Sequence, residues 1–381
     1  MSKEVNTRLN WIDYARGIAI ILVVYRHLFE SLKNTKALKA AGVDINSYLY
    51  LEQANIFFFS FRMPLFFIVS GLFIGSSLVK RGFGELVGNK ARTILYPYFL
   101  WGFIQITIQI IFAVYTNSDK SATDYTYLFY APREVDQFWY LFALFNVTVL
   151  YAFLKSRFNL HIAYQIAIGL TLFGLSTLFS QAKIEFGFVS DIFHYYIFLA
   201  LGDGLSQSML KGSLRRFFTS WKSFGILLIP FILLQYYFLT VNLSHKDISP
   251  KFLFVEYYQP VMYLLIALVG CGFVISISSL MERYNFGVWL QKLGQHSLYI
   301  YVMHVIVFAS LRYILTKFFH IYDVNLIMLI CIATALTIPV AFYKVASKLG
   351  LKFLFTLEKK NKSKEKIQHK EVTNLQPVYE R

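Results

Sequence analysis

Apolar residues in this chain come in runs of about twenty, divided by short connections that hold most of the lysines and arginines. Wound as an α-helix, such a run satisfies its own backbone polar groups and matches the thickness of a bilayer core. Scanning for runs of this kind predicts about ten spans, at 11–30, 55–79, 93–116, 137–155, 160–180, 190–210, 221–242, 253–280, 296–315 and 325–349. Composition agrees, since only 15% of the 381 residues are charged, against about 25% in a soluble domain. The expected fold is an all-α polytopic membrane protein. Residues 1–355 form its membrane domain, and residues 356–381 form a basic tail with no apolar period to bury, expected to be disordered. The first span has the charged start of a secretory signal without a small-x-small cleavage pattern, and further spans follow it, so it is expected to be retained.

Orientation follows from the basic residues in the connections. With the N-terminus inside, the inner connections hold Lys80, Arg81, Lys90 and Arg92, then Lys155 and Arg157, then Lys211, Arg215, Arg216 and Lys222, then Arg283 and Lys292. The outer connections hold fewer, among them Lys33, Lys120, Arg133, Lys246, Lys251 and Lys317. Both termini are therefore expected in the cytoplasm. A formal net charge of +16 would suggest nucleic acid in a soluble chain, but here the basic groups sit where an anionic leaflet would meet them. Cys271 and Cys331 are isolated within apolar runs, too few for a disulfide framework or a metal centre, and no metal is expected.

The first span carries ionisable groups at both ends. Eleven residues separate Arg16 from His27, three helical turns plus a small remainder, so both project from one face about 16–17 Å apart along the axis. Asp13 lies one turn before Arg16 on that face. Charge at membrane depth normally points into a protein interior or a wet cavity, so this helix reads as the wall of a site. The residues between the two groups on that stripe, Ile20, Val23 and Val24, are apolar. In the second span Arg62 precedes Met63-Pro64, where proline frees a backbone carbonyl and is expected to kink the helix beside a cavity. Arg26 precedes His27 and is expected to pair with Glu30 one turn on, leaving an anionic ligand as the other account of Arg26 and Arg62. His304 lies mid-span, Asp191 and His194 sit one turn apart at the outer end of the sixth span, and Glu256 and Gln259 open the eighth. These are candidate ligand-binding or supporting groups. The inner cluster of Lys80, Arg81, Lys90 and Arg92 suits phosphates by charge and by the guanidinium fork.

Asp13, Arg16-Gly17 and His27 in the first span, Met63-Pro64-Leu65-Phe66-Phe67 with Ser70-Gly71 in the second, and Lys90-Ala91-Arg92 with Pro97-Tyr98 entering the third resemble the integral-membrane acyltransferase-3 family. Phe138-Trp139-Tyr140-Leu141 resembles that family's aromatic motif at the fourth span, and Gly294 with Ser297-Leu298-Tyr299 and His304 its late motif. The resemblance covers residues 8 to about 350. It implies transfer of an acyl group, often acetyl, from cytoplasmic acyl-CoA as co-substrate to a hydroxyl of an extracytoplasmic glycan or lipid-linked sugar, with no permanently bound cofactor. His27 and Arg16 are then the catalytic candidates. Arg16, Lys90, Arg92 and Arg81 would bind the donor, and Arg62, Trp139, Asp191, His194 and Glu256 the acceptor, with Asp13, Ser70 and His304 in support. The chemistry of the residues agrees: an alcohol attacking a thioester needs a base near neutral pKa, and histidine supplies one unperturbed, or acts as nucleophile itself. The alternative is an exporter of a sugar, polysaccharide or lipid-linked precursor, although no inverted repeat and no matched pair of broken helices is visible.

Overall fold

The computed structural model describes residues 9–113, 120–210, 212–246 and 253–357. Expectations placed on residues 1–8, on Lys211 and Lys251, on the end of the third span and on tail residues 358–381 lie outside the described residues. The helices in chain order are α1 (Asn10–Lys33), α2 (Lys36–Ala40), α3 (Leu49–Phe57), α4 (Arg62–Gly71), α5 (Ile74–Lys90), α6 (Tyr96–Ile111) and α7 (Asp124–Tyr130). They continue with α8 (Trp139–Arg157), α9 (Ile162–Gln181), α10 (Phe188–Leu210), α11 (Ser213–Phe218) and α12 (Trp221–Ser244). The last are α13 (Phe254–Tyr258), α14 (Pro260–Tyr284), α15 (Val288–Gln295), α16 (Ser297–Lys317) and α17 (Val324–Lys348).

Among the described residues, eight helical stretches are long and apolar enough to cross a membrane: Leu49–Gly71, Ile74–Ile111, Asp136–Arg157, Ile162–Gln181, Trp221–Ser244, Pro260–Tyr284, Ser297–Lys317 and Val324–Lys348. The other two expected spans are α1 and α10, which have the length but carry ionisable groups along it, Asp13, Arg16, Arg26 and Glu30 in one and Asp191 and Asp203 in the other. This is an all-α polytopic membrane protein.

α1 stands in the middle, with α3, α4, α14, α15, α16 and α17 packed around it. Its apolar residues Ala15, Ala19, Ile20, Val24 and Leu28 are almost fully buried. Near its start two glycines let α15 approach: a Cβ on Gly17 would run into the Leu290 carbonyl, and one on Gly294 into that of Asp13. Gly71 and Gly202 do the same for α4 and α10, whose backbones are too close there for a side chain on either.

Polar cross-links sort the helix ends into two layers. At the Arg16 end, buried Asp203 of α10 pairs with Lys155 of α8, accepts from Tyr151 Oη (2.6 Å) and accepts from the Gly75 amide of α5 (3.1 Å). Arg215 meets Glu282 (2.7 Å), and Trp101 Nε1 donates to the Leu354 carbonyl (2.8 Å) in the same layer. At the His27 end, Lys246 meets Glu52 (2.6 Å), Arg133 meets Asp191 (2.6 Å) and Tyr50 bonds Asn325. The start of α1 and the end of α17 share the Arg16 layer, where Thr356 and Leu357 lie against the Arg92 carbonyl.

Three local expectations are corrected. The second span is not one helix kinked at Pro64. It breaks earlier, over Phe58–Phe61, and Pro64 falls in the first turn of α4, where a missing N–H costs nothing. The connection at 80–92 is not a loop: α5 runs through it with a break at Gly82, whose φ of 72° and ψ of 169° favour glycine, and a π-helical turn at Ala91–Leu95 leads into α6. The expected Arg26–Glu30 pair does not form. Glu30 meets Lys33 (3.7 Å) and Asn55 (3.2 Å) instead, and the Arg26 guanidinium lies over Phe59, 4.8 Å from the ring centroid.

Candidate active site

The break before Arg62 turns α3 away from α4 and opens a cavity of about 490 Å³ against α1. Val23, Arg26, His27 and Glu30 of α1 form one wall, and Asn55, Phe59, Arg62 and Met63 another. Arg133, Trp139, Tyr195, Glu256, Tyr257 and Tyr263 close the far side. A second hollow of about 840 Å³ shares His27 and Glu30 and runs between α6 and α16. Its walls are mainly apolar, with Phe112, Ile314 and Phe318 exposed along it. His27 therefore stands where a polar cavity meets an apolar groove.

Among the described residues no group hydrogen-bonds the His27 ring, which is half-buried and borders both spaces. Its nearest aromatic neighbour of note is His304, with ring centroids 5.3 Å apart. His304 Nδ1 lies 2.8 Å from the Tyr301 carbonyl and 3.1 Å from that of Ile300. Carbonyls only accept, so the proton sits on Nδ1 and Nε2 keeps its lone pair. That Nε2 is buried and has no partner. The sequence thus places two imidazoles together, one tautomer fixed by the backbone of α16 and the other ring free to meet a ligand.

The cavity's charged groups fall into two kinds. Lys246 and Lys33 are matched by Glu52 (2.6 and 3.7 Å), and Glu256 lies 3.3 Å from His194 Nε2. Arg133 is fixed by Asp191 and stacks on Trp139, 4.3 Å from the ring centroid. Burial works against the charge on Arg133, but the Asp191 carboxylate, its hydrogen bond and the neighbouring Tyr257 and Tyr195 together outweigh it and lift the guanidinium well above its ordinary pKa. Arg26 and Arg62 are different. Arg62 is buried and donates to the Leu22 carbonyl (3.1 Å), Asn55 Oδ1 (3.2 Å) and the Asn55 carbonyl (3.3 Å), all neutral.

The other end of α1 gathers the donor candidates. Lys90 lies within electrostatic reach of Arg16 and Arg81, and Arg16 within reach of Tyr140, whose hydroxyl lies near Ser70. Tyr140 touches Tyr301 (5.4 Å between centroids), and Tyr301 touches His304 (6.0 Å). Arg16 lines neither of the two spaces that His27 borders, and rings from α8 and α16 lie between them. Of the apolar stripe between them, Val23 lines the cavity, whereas Ile20 and Val24 are fully buried and line neither space. Asp13 is buried where α15 crosses α1. Arg92 is half-buried in the π-helical turn beside Lys90, and Arg81 is exposed.

Of the acceptor candidates, Arg62, Trp139 and Glu256 line the cavity with His27. Asp191 and His194 are buried one layer behind it, as the partners of Arg133 and Glu256. Gln259 accepts from the Tyr237 hydroxyl (2.8 Å). Sequence reasoning did not single out Arg133, Asn55 or Tyr195. Arg133 lies in a connection rather than a span, and its only sequence signal is that buried Asp191 requires a partner. Among the described residues no three His, Cys, Asp or Glu side chains are grouped to hold a metal ion.

A membrane-embedded helical bundle with a histidine at the junction of two cavities and a basic cluster at the other end of the same helix defines a class, and sequence comparison agrees with it. The acyltransferase-3 family model, described as an acyltransferase domain, matches residues 9–345, and the chain belongs to that family. Among curated proteins it is similar to the nodulation protein NolL of Mesorhizobium japonicum, 29% identical over 142 residues, 37% of this chain and 34% of the relative. It is also similar to the nodulation protein NolL of Sinorhizobium fredii, 25% identical over 212 residues, 55% of this chain and 51% of the relative. The matched region thus spans between a third and half of these relatives' length. No solved structure matches.

Proposed function

We propose that this protein moves an acyl group, acetyl in the first instance, from cytoplasmic acyl-CoA to a hydroxyl of an extracytoplasmic or lipid-linked glycan, with His27 as the base. The observation that supports this most is His27 itself, a half-buried imidazole with no hydrogen-bond partner among the described residues, bordering a polar cavity. The acceptor hydroxyl gives its proton to a ring nitrogen of His27 as its oxygen attacks the thioester carbonyl. The tetrahedral intermediate then expels the CoA thiolate, which takes the proton back. His304 lies close enough to couple to that imidazole, and its fixed tautomer presents a lone pair rather than a second N–H. In this reading Arg16, Lys90, Arg92 and Arg81 hold the CoA phosphates at the cytoplasmic face, because the Arg16 layer gathers the larger share of basic connections. The protein then lies in the inner membrane of a bacterium with both termini inside. The apolar groove beside His27 suits the hydrocarbon of a membrane-tethered acceptor.

The test is acyl-group mass analysis of the cell envelope from cells with and without the protein. Loss of one esterified acyl group from an envelope glycan is the expected result. An unchanged acyl inventory, together with accumulation of an unexported precursor, would favour the export reading instead.

A further inference from the structure

The cavity wall holds five cations, Arg26, Lys33, Arg62, Arg133 and Lys246, and three carboxylates, Glu30, Glu52 and Glu256, a surplus of two positive charges, with Arg133 already held by Asp191 and Glu256 set beside His194. The carboxylates are already engaged. Glu52 meets Lys246 and Lys33, and Glu30 meets Lys33 and the Asn55 amide. Among the described residues neither Arg26 nor Arg62 forms an ion pair. Asn55 stands between: its Oδ1 accepts from Arg62 and its Nδ2 donates to Glu30, so the nearest carboxylate reaches Arg62 only through a neutral amide. The surplus is concentrated on one ring. Both guanidiniums lie against Phe59, at 4.8 and 5.0 Å from its centroid. A cation–π contact eases such a charge without neutralising it. A guanidinium kept only 3% exposed at membrane depth without a counter-ion is costly, and proteins hold such groups where a ligand supplies the charge.

We propose that Arg26 and Arg62 form an oxyanion site, so that the acceptor acylated at His27 is an acidic sugar bearing a phosphate or a carboxylate. The inference rests on the acyl-transfer reading and narrows its acceptor. Two planar forks set against one ring and lining one cavity offer the N–H pairs that the oxygens of either group need. The CoA phosphates are a poor alternative occupant, because this pair lies at the opposite end of α1 from Arg16 and its neighbours Lys90 and Arg81. Clamping the anion here would hold the neighbouring hydroxyls of the same sugar at the adjacent residue, His27.

The test uses the purified full chain in detergent and three probes: glucose 1-phosphate, glucuronate and neutral methyl glucoside, with affinities measured by calorimetry. We expect one or both anions to bind at least about tenfold more tightly than methyl glucoside, and Arg26→Gln to remove that advantage. The stronger anion tells phosphate from carboxylate. Arg62→Gln should act alike, but its three hydrogen bonds also brace α4, so the half-buried Arg26 is the variant that decides. Equal binding of all three probes, no binding of either anion, or wild-type selectivity in folded Arg26→Gln each overturns the proposal. Binding needs no turnover, so anion selectivity without any acyl transfer would refute the enzymatic reading alone. Transfer to a neutral acceptor with unchanged kinetics in Arg26→Gln would refute this inference alone.

Discussion

Removing the Arg133 guanidinium leaves the Asp191 carboxylate buried without its ion-pair partner, since Asp191 is 1% exposed and its Oδ2 already lacks a hydrogen bond. Arg133→Ala should therefore destabilise the protein by about 1–3 kcal/mol, because the pair is partly screened through the half-exposed Arg133. Adding Asp191→Leu should recover most of that loss, which thermal unfolding in detergent can check. A full-sized penalty that persists in the double variant would mean that Arg133 acts through Trp139 alone. At this scale the sequence is informative where a charge violates the apolar pattern: His27, Arg62 and Glu256 were legible for that reason, and all three line one cavity. Arg133 was not legible, because a basic residue in a connection looks like any topology signal until its partner is seen. Asp191 and His194 were read as ligand-facing when each is the buried half of a pair, since spacing along one helix gives no sign of what the next helix offers.

Helix by helix, the long helices were visible in the hydropathy, eight stretches of them apolar enough to cross a membrane, and the breaks were not. Pro64 is a misleading marker because proline is harmless in a first turn, so the real interruption over Phe58–Phe61, built from four apolar or small residues, has no local sequence signal. Close helix packing was also hidden. Gly202 faces Gly71 with α10 and α4 nearly in backbone contact. Gly202→Val should lower stability by about 1–3 kcal/mol and shift α10, which carries Asp191 and His194, so that activity falls with it. A variant with wild-type melting behaviour would show that this contact loosens without cost. Lys90 and Arg92 test the opposite layer. Changing both to Gln should raise the acyl-CoA KM more than it lowers kcat, the mark of lost ground-state binding. Cysteine accessibility in intact cells must show unchanged topology, and unaltered donor saturation in such a variant would remove the pair from donor binding.

Across the whole molecule, the proposed reaction requires a donor held at the Arg16 end of α1 and an acceptor held at the other end to meet at His27. Val23 lines the cavity beside His27, while Ile21 lies on another face of α1 outside both spaces. Val23→Trp should block transfer, and Ile21→Trp should cost only what overpacking costs, about 1–3 kcal/mol of stability, with transfer retained. Equal inhibition by both would show that α1 tolerates no added bulk anywhere and that Val23 marks no passage. The fold and the pole-to-pole division of charge could be read from the sequence. The ring contacts between the poles could not, because Tyr140, Tyr301 and His304 look like ordinary core in a chain where 19% of residues are aromatic.

The most direct test of the catalytic assignment is the initial rate of transfer of labelled acetyl from acetyl-CoA in proteoliposomes carrying envelope acceptor, for wild type and for His27→Ala matched in amount, folding and insertion. A general base or nucleophile at His27 predicts a fall of about 10²–10⁴-fold. A wild-type rate in the correctly inserted variant would contradict it.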